Sequence, residues 1–442
     1  MTATRSSNDK PTIKHQTNRP LPKRPQNQSS NPLQKGISNY ITTLPSSLLT
    51  QHGTSYSELV SSLPKRYTIY EPMLLLPLNA FTHPPAWGTL YESLNHNQRN
   101  ALYASIARAF SRLGVTHIAM NAPINLTDAQ GHENRMRSPV GLVPLYGDFE
   151  PVAPSDGDGN REDEQPFEED LKQAFWVRTV QNHGVVQIWA PLYTMFSRGN
   201  ITEKARILGH GEVFEGLDEG SLGAGVGAGE VAVVDMYAGI GYFVFSYLKR
   251  GVRRVWGWEI NGWSVEGLRR GCVENGWGCR VVRVQKDGKL SVPISELVES
   301  LRDTDRVVIF HGDNGFAADV MEEVRAVMQS RQAWTSIRHV NLGLLPTSEG
   351  AWDDACRIVD RDKGGWVHVH ENVDVQKIEE KRGEIVASME RSWSEYASVP
   401  VGMRTSAECR HVEQVKTYAP GVMHCVLDVK LSFKQKSESN SS

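Results

Sequence analysis

The stretch 233–243, VVDMYAGIGYF, decides the fold. A β-branched run ends in Asp235, and Ala238-Gly239-Ile240-Gly241 then turns the chain toward a helix. Small residues at such a turn let backbone approach a ligand closely, and the helix start that follows offers free N–H groups. Outward from this turn the pattern of strand, turn and helix repeats. Strands are expected at 231–236, 254–259, 307–311, 339–345 and 366–370, with an extra excursion at 280–305. Such alternation specifies an α/β architecture with a doubly wound, Rossmann-like parallel sheet. The region 418–431 reads as a closing antiparallel pair.

The chain has 442 residues, enough for two or three domains at roughly 100–200 residues each. Apolar residues make up 39% and charged residues 22%, which allows a core together with much polar loop. The longest apolar runs, 73–78 and 231–234, fall far short of the ~20 residues a membrane helix needs. No membrane association is expected. Five scattered cysteines (Cys272, Cys279, Cys356, Cys409, Cys425) form no CxxC pair, so neither a disulfide framework nor a structural zinc site is encoded. The first residues contain no apolar leader. A reducing, cytoplasmic setting is expected.

Charge is unevenly spread. Residues 1–40 hold seven Lys or Arg and one acid, although the whole chain carries −3. Residues 1–55, rich in Pro, Asn, Gln and Ser, read as a disordered basic arm, either a solvated tail or one that touches nucleic acid. Residues 56–195 read as a smaller α+β domain with weak signals for any chemistry. It has a buried strand within 63–78, a helix over 98–113 carried by Leu102, Ile106, Ala109 and Phe110, a strand at 116–120, and hairpin strands at 174–181 and 185–189. Within it, 156–170 holds eight acids and one Arg and reads as a disordered surface insertion. The catalytic domain is expected over 196–435, followed by a tail, 436–442. A helix begins near Asn200, with Glu203 completing an N-cap box. The glycine-rich segment 211–230 precedes the strand rather than following it, and reads as a flexible loop.

Val244 stands where a dinucleotide fingerprint has its third glycine. Asp235 would repel a pyrophosphate and suits a cationic ligand. S-adenosylmethionine carries a sulfonium and an ammonium, and it fits. Glu259 ends the next strand, 18 residues beyond Gly241, where a carboxylate can accept both ribose hydroxyls. Asp313 and Asn314 end the third strand, toward the adenine edge. Asp235, Gly239, Gly241, Glu259, Asp313 and Asn314 are therefore candidate cofactor-binding residues of a class I methyltransferase-like domain. His368 and His370 alternate on one strand face without a third ligand, so no metal is expected. For His370-Glu371-Asn372 a pocket lining and plain hydrogen-bonded structure both stay open.

The segments Met195-Phe-Ser-Arg-Gly-Asn-Ile-Thr-Glu-Lys204, DMYAGIGYF, Trp258-Glu-Ile-Asn261, His311-Gly-Asp-Asn314, Asn341-Leu-Gly-Leu-Leu-Pro-Thr-Ser-Glu349 and His368-Val-His-Glu-Asn372 together resemble one family. It is the tRNA wybutosine-synthesizing protein 2 family, related to the tRNA guanine-37 N1-methyltransferases. The resemblance covers residues 60–150 loosely and 175–430 well. It implies transfer of the 3-amino-3-carboxypropyl group of S-adenosylmethionine to a tricyclic wyosine precursor at position 37 of tRNA(Phe), with release of methylthioadenosine. It also implies cofactor contacts from Ser197 and Lys204. Arg198 is left between the cofactor carboxylate and tRNA phosphate. The family's Asp-Asn-Arg reads Asp313-Asn314-Gly315 here, which removes any role for an arginine at 315. The alternatives are a guanine-37 N1-methyltransferase and a non-catalytic tRNA-binding relic. A monomer is expected, with a local tRNA surface at Lys65, Arg66, Arg135, Arg137 and the basic arm.

Overall fold

Leu33, Ile37 and Ile41 recur one helical turn apart, and Asn31 caps their helix by accepting from the backbone N–H groups of Leu33 and Gln34. This helix opens the computed structural model, which describes residues 31–121, 142–149, 165–194, 196 and 199–436. Helices α1 (Pro32–Ile41), α2 (Ser46–Gln51) and α3 (Tyr56–Ser61) precede strands β1 (Thr68–Tyr70) and β2 (Met73–Leu76). Helices α4 (Pro85–Ser93) and α5 (His96–Ala109) lead to β3 (His117–Met120) and β4 (Val143–Tyr146). The four strands pair in sequence order, parallel only between β2 and β3.

The expected disordered arm is corrected over 31–55. Leu33, Ile37 and Tyr40 of α1 and Leu49 of α2 are buried in one core with Trp87, Leu102 and Ile106. The contact of α1 with α5 is close: a Cβ added at Gly36 would stand 2.7 Å from Ile106 Cα. Helical spacing of a few apolar residues outweighs the polar composition around them. Residues 1–30 of the arm, the loop with Arg135 and Arg137, residues 156–164 of the acidic insertion, Ser197, Arg198 and residues 437–442 lie outside the described residues.

Helix α6 (Glu168–Gln173) leads into a hairpin of β5 (Val177–Val180) and β6 (Val186–Trp189). Then come α7 (Ile201–Ile207), α8 (Glu219–Leu222), β7 (Ala232–Asp235), α9 (Val244–Arg250), β8 (Arg254–Glu259) and α10 (Gly262–Glu274). They are followed by β9 (Gly278–Arg283), α11 (Ile294–Ser300), β10 (Asp305–His311), α12 (Ala317–Ser330), β11 (Ile337–Leu342) and α13 (Trp352–Ile358). The last elements are β12 (Gly365–Asp374), α14 (Ile378–Tyr396), β13 (Met403–Ala419) and β14 (Val422–Gln435).

These strands form one eight-stranded sheet ordered β13-β14-β12-β11-β7-β8-β10-β9. Strands β7 to β12 run parallel, and β14 is antiparallel to both neighbours. Every residue of β7 is buried, as a parallel sheet covered on both faces requires. Helices α7, α9 and α10 contribute to the core on one face, and α12, α13 and α14 to that on the other. The excursion at 280–305 holds the end of β9 and all of α11, with β9 widening the sheet by one parallel edge strand. Strand order reverses at β7, with β8 on one side and β11 on the other. A crevice therefore opens at the C-terminal ends of β7 and β8, the ligand position in open sheets of this kind.

Candidate active site

The turn after β7 is built on positive φ angles, +54° at Gly239 and +91° at Gly241. Side chains are excluded there twice over. A Cβ on Gly239 would meet the Tyr242 ring at 2.9 Å, and one on Gly241 would meet the Phe245 ring at 2.7 Å. Glu259, at the end of β8, reaches across to this turn. Its Oε2 accepts from Gly239 N at 2.8 Å and its Oε1 from Asn261 N at 2.7 Å. Burial raises the carboxyl's pKa, against the pull of those two N–H groups. Each oxygen retains lone-pair capacity, so a diol can still be bound.

Asp235 is fully buried inside the end of β7. Its Oδ1 accepts from Tyr237 N at 3.2 Å and from Asn341 Nδ2 at 3.3 Å, while Oδ2 and Asn341 Oδ1 have no partner among the described residues. Burial pushes its pKa to about 7, against these donors. Asp235 therefore anchors the turn from within. Asn314 donates through Nδ2 to Met236 O at 2.8 Å, which ties the end of β10 to the turn after β7. Asp313 Oδ1 accepts from Gly315 N at 2.9 Å. The six residues expected to meet at the crevice are thus brought together, and Ser197 lies outside the described residues.

Gln165 joins them from the end of the acidic stretch, where sequence marked only a surface insertion. Its Nε2 donates to Ile260 O at 2.9 Å, and its Oε1 faces Gly262 N at 2.9 Å and His311 Nε2 at 2.8 Å. It thereby fixes the loop that presents Glu259. Tyr193 stacks on Trp263 at the start of α10, with centroids 3.8 Å apart.

Helix α7 brings Lys204 beside the turn. Its Nζ is buried, has no hydrogen-bond partner among the described residues, and lies 5.2 Å from the centroid of the Tyr242 ring. Burial pulls its pKa down to about 8. The expected N-cap box is not formed: Asn200 has φ +64° and its side chain caps nothing. Glu203 instead meets Arg206 at 2.6 Å, and Arg206 meets Asp428 of β14 at 2.6 Å. Asp428 Oδ1 lies 2.7 Å from His368 Nδ1, and His368 Nε2 lies 2.9 Å from His339 Nδ1. His339 Nε2 lies 2.8 Å from Gly216 O, where it must donate. Burial opposes ionisation of Asp428, yet His368 and Arg206 hold its pKa at about 2. Burial and the Asp428 charge push Glu203 to about 8, against the pull of Arg206. His368 is thus hydrogen-bonded structure; His370 Nδ1 lies 3.1 Å from His424 Nε2, while its buried Nε2 has no partner among the described residues.

The turn after β11 is tied back to β12. Glu371 Oε1 accepts from Thr347 Oγ1 at 2.8 Å and from Ser348 N at 3.0 Å, and Asn372 N donates to Pro346 O at 2.8 Å. Among the described residues no group of three His, Cys, Asp or Glu is placed to hold a metal ion, and no helix is long and apolar enough to cross a membrane.

Fold and site together define a class I methyltransferase-like domain, with the glycine turn and Glu259 at the switch point of its sheet. No family model matches the chain. It is 36% identical over 378 residues to tRNA wybutosine-synthesizing protein 2 of Schizosaccharomyces pombe, covering 85% of this chain and 75% of that one. To the Saccharomyces cerevisiae protein of the same name it is 32% identical over 424 residues, covering 89% and 81%. Among solved structures, P. horikoshii TYW2 in complex with MeSAdo aligns over 90% of this chain and 99% of that one, at 18% identity and a TM-score of 0.49. The chain belongs to the tRNA wybutosine-synthesizing protein 2 family.

Proposed function

We propose that this chain transfers the 3-amino-3-carboxypropyl group of S-adenosylmethionine to the wyosine precursor at position 37 of tRNA(Phe). It is an S-adenosylmethionine-dependent transferase of wybutosine biosynthesis, and tRNA is its substrate. The observation that carries the cofactor assignment is Glu259, whose two oxygens are held on Gly239 N and Asn261 N at the switch point of the sheet. There it can accept both ribose hydroxyls. Asp313 and Asn314 lie toward the adenine, and Gly239 and Gly241 leave room for the sulfur end. Asp235 holds the turn, and Ser197 and Lys204 are assigned to the amino-acid end.

The chemistry is a displacement. A ring carbon of the acceptor attacks the γ-carbon, the bond from γ-carbon to sulfur breaks with its electrons going to sulfur, and the ring proton leaves. Methylthioadenosine departs. Orientation decides which of three electrophilic carbons reacts, and a 1 Å misplacement can cost about a hundredfold. Guanine-37 N1-methylation is the second reading. The turn at 343–349 favours transfer of the larger group, because Thr347 and the Ser348 amide are committed to Glu371 rather than free to grip a base.

The exposed Lys65 and Arg66 suit a tRNA-facing N-terminal domain, with a single chain as the acting unit. All five cysteines are unpaired, which suits a reducing compartment such as the cytoplasm. The test is incubation with labelled S-adenosylmethionine and tRNA bearing the precursor, followed by chromatography of the nucleosides. Methylthioadenosine formed in step with tRNA modification is expected. Stoichiometric S-adenosylhomocysteine with guanine-37 tRNA would replace this reading by the methyltransferase.

A further inference from the structure

An open cleft lies between the β5–β6 hairpin and the C-terminal half of α10, with about 770 Å³ of space including its mouth. Trp176, Arg178, Arg269, Arg270, Val273 and Glu274 are among its lining residues. Three guanidiniums against one carboxylate make it a local exception in a chain of net charge −3. Leu171 O accepts from Trp176 Nε1 at 3.0 Å and from Arg270 Nη2 at 2.9 Å. Ring and guanidinium are thereby held over one another, 4.1 Å from guanidinium carbon to ring centroid. Arg269 and Arg270 share a single carboxylate, Glu266, so this pair carries surplus positive charge. Arg178 lies between Glu71 at 3.4 Å and Glu274 at 3.3 Å, both exposed, and ion pairs in water hold their partners weakly. Arg178 Nη2, Arg269 Nη1 and Arg270 Nη1 have no acceptor among the described residues. The cleft also sits at a seam. Arg178 N donates to Glu71 O at 2.8 Å, which ties the hairpin to the β1–β2 turn of the smaller domain, whereas α10 starts beside Glu259 at the crevice.

We propose that this cleft grips the tRNA outside its acceptor nucleotide, with backbone phosphates on Arg178 and Arg269 and an unstacked base against the plane of Arg270. The assignment rests on the tRNA reading above and adds a surface separate from Lys65 and Arg66. Guanidinium forks match phosphate oxygens two at a time, and a phosphate can displace exposed carboxylates from them. An acidic peptide would meet the forks alone. It would leave the planar Arg270–Trp176 pair, and Val273 with its side chain 65% exposed, without a flat partner. A single RNA strand supplies a phosphate and a π-face at each step, which suits both halves of the cleft. An RNA held by both the smaller domain and the crevice passes over this seam.

Fluorescence anisotropy on the full chain, with an unmodified tRNA(Phe) transcript titrated at several salt concentrations, tests this. Arg178→Ala with Arg269→Ala should weaken tRNA binding about tenfold or more and reduce the slope of log K against log salt by about 1–2. S-adenosylmethionine affinity in the same double variant should stay within about twofold, because the cleft lies away from the crevice. Glu274→Gln removes the carboxylate that lines the cleft and should tighten tRNA binding about twofold or more, a gain that misfolding cannot produce. Native tRNA affinity or a native salt slope in the double variant would overturn the cleft, as would unchanged or weaker binding in Glu274→Gln. If the native chain binds the transcript and these variants bind it equally well, the cleft falls and the tRNA reading stands. If the native chain binds no tRNA, that reading falls and takes the cleft with it.

Discussion

Two carboxylates on the same sheet are held in opposite ways. Glu259, at the end of β8, rests on two backbone N–H groups at the mouth of a crevice. Asp428, within β14, lies between Arg206 and His368 and is 4% exposed. Backbone donors come with the turn and leave lone pairs free for an incoming ligand. Side-chain donors must themselves be buried, and it is burial on every side that closes Asp428 to a ligand. The first arrangement is built for binding, and the second clamps α7 to the sheet.

Asp428→Ala should break the sealed side and give the largest effect. It leaves buried Arg206 with only Glu203 and removes the partner of His368 Nδ1, and the loss of stability should be about 3–5 kcal/mol in denaturant titration. Acid should weaken the native chain through the same group. Its pKa is lowered from the ordinary carboxylate value to about 2, so its contribution is complete above about pH 4 and lost as pH falls through 2. An unchanged denaturation midpoint in Asp428→Ala would end the clamp interpretation.

Glu259→Ala should do the reverse. It removes two hydrogen bonds to a charged group, each about 1.5–3 kcal/mol, so S-adenosylmethionine affinity should fall at least about a hundredfold. Thermal stability should change far less than in Asp428→Ala. A folded variant with native affinity would remove Glu259 from the ribose position.

Lys204 sharpens the contrast with a smaller signal. With its pKa at about 8, it is about one-quarter charged at pH 8.5, and a bound carboxylate restores the charge. Binding at that pH should therefore take up roughly 0.7 proton at this group, seen by calorimetry in buffers of different ionisation enthalpy. Lys204→Met should remove that uptake. Thr347→Val should have the least effect, about 1 kcal/mol, because Ser348 N still donates to Glu371. Faster hydrogen exchange at Ser348 would show the loosened turn.

Legibility in the sequence followed distance along the chain. The stretch 233–243 and the acids at strand ends are local patterns, and the structure brings Asp235, Gly239, Gly241, Glu259, Asp313 and Asn314 together at one crevice. The clamp could not be read in this way. Arg206 and Asp428 are 222 residues apart, and an (i, i+3) Glu–Arg pair looks the same on a solvated helix as on a buried one. Gln165 was hidden by its acidic neighbours, since a single amide has no pattern of its own. Helix α1 did have a signal in Leu33, Ile37 and Ile41. A composition window over 1–40 averaged it away.

Strand β14 lies between β12 and β13, and it carries the carboxylate that balances Arg206 and His368. During synthesis the chain emerges from its N-terminal end. Helix α7, with Lys204, is therefore made more than two hundred residues before Asp428. Until residue 428 is available, Arg206 has only Glu203 of its own helix for a partner and the outer edge of β12 is unpaired. Helix α7 is consequently among the last parts to lock. A nascent or truncated chain can possess the glycine turn and Glu259 in full while the helix that carries Lys204 is still unanchored.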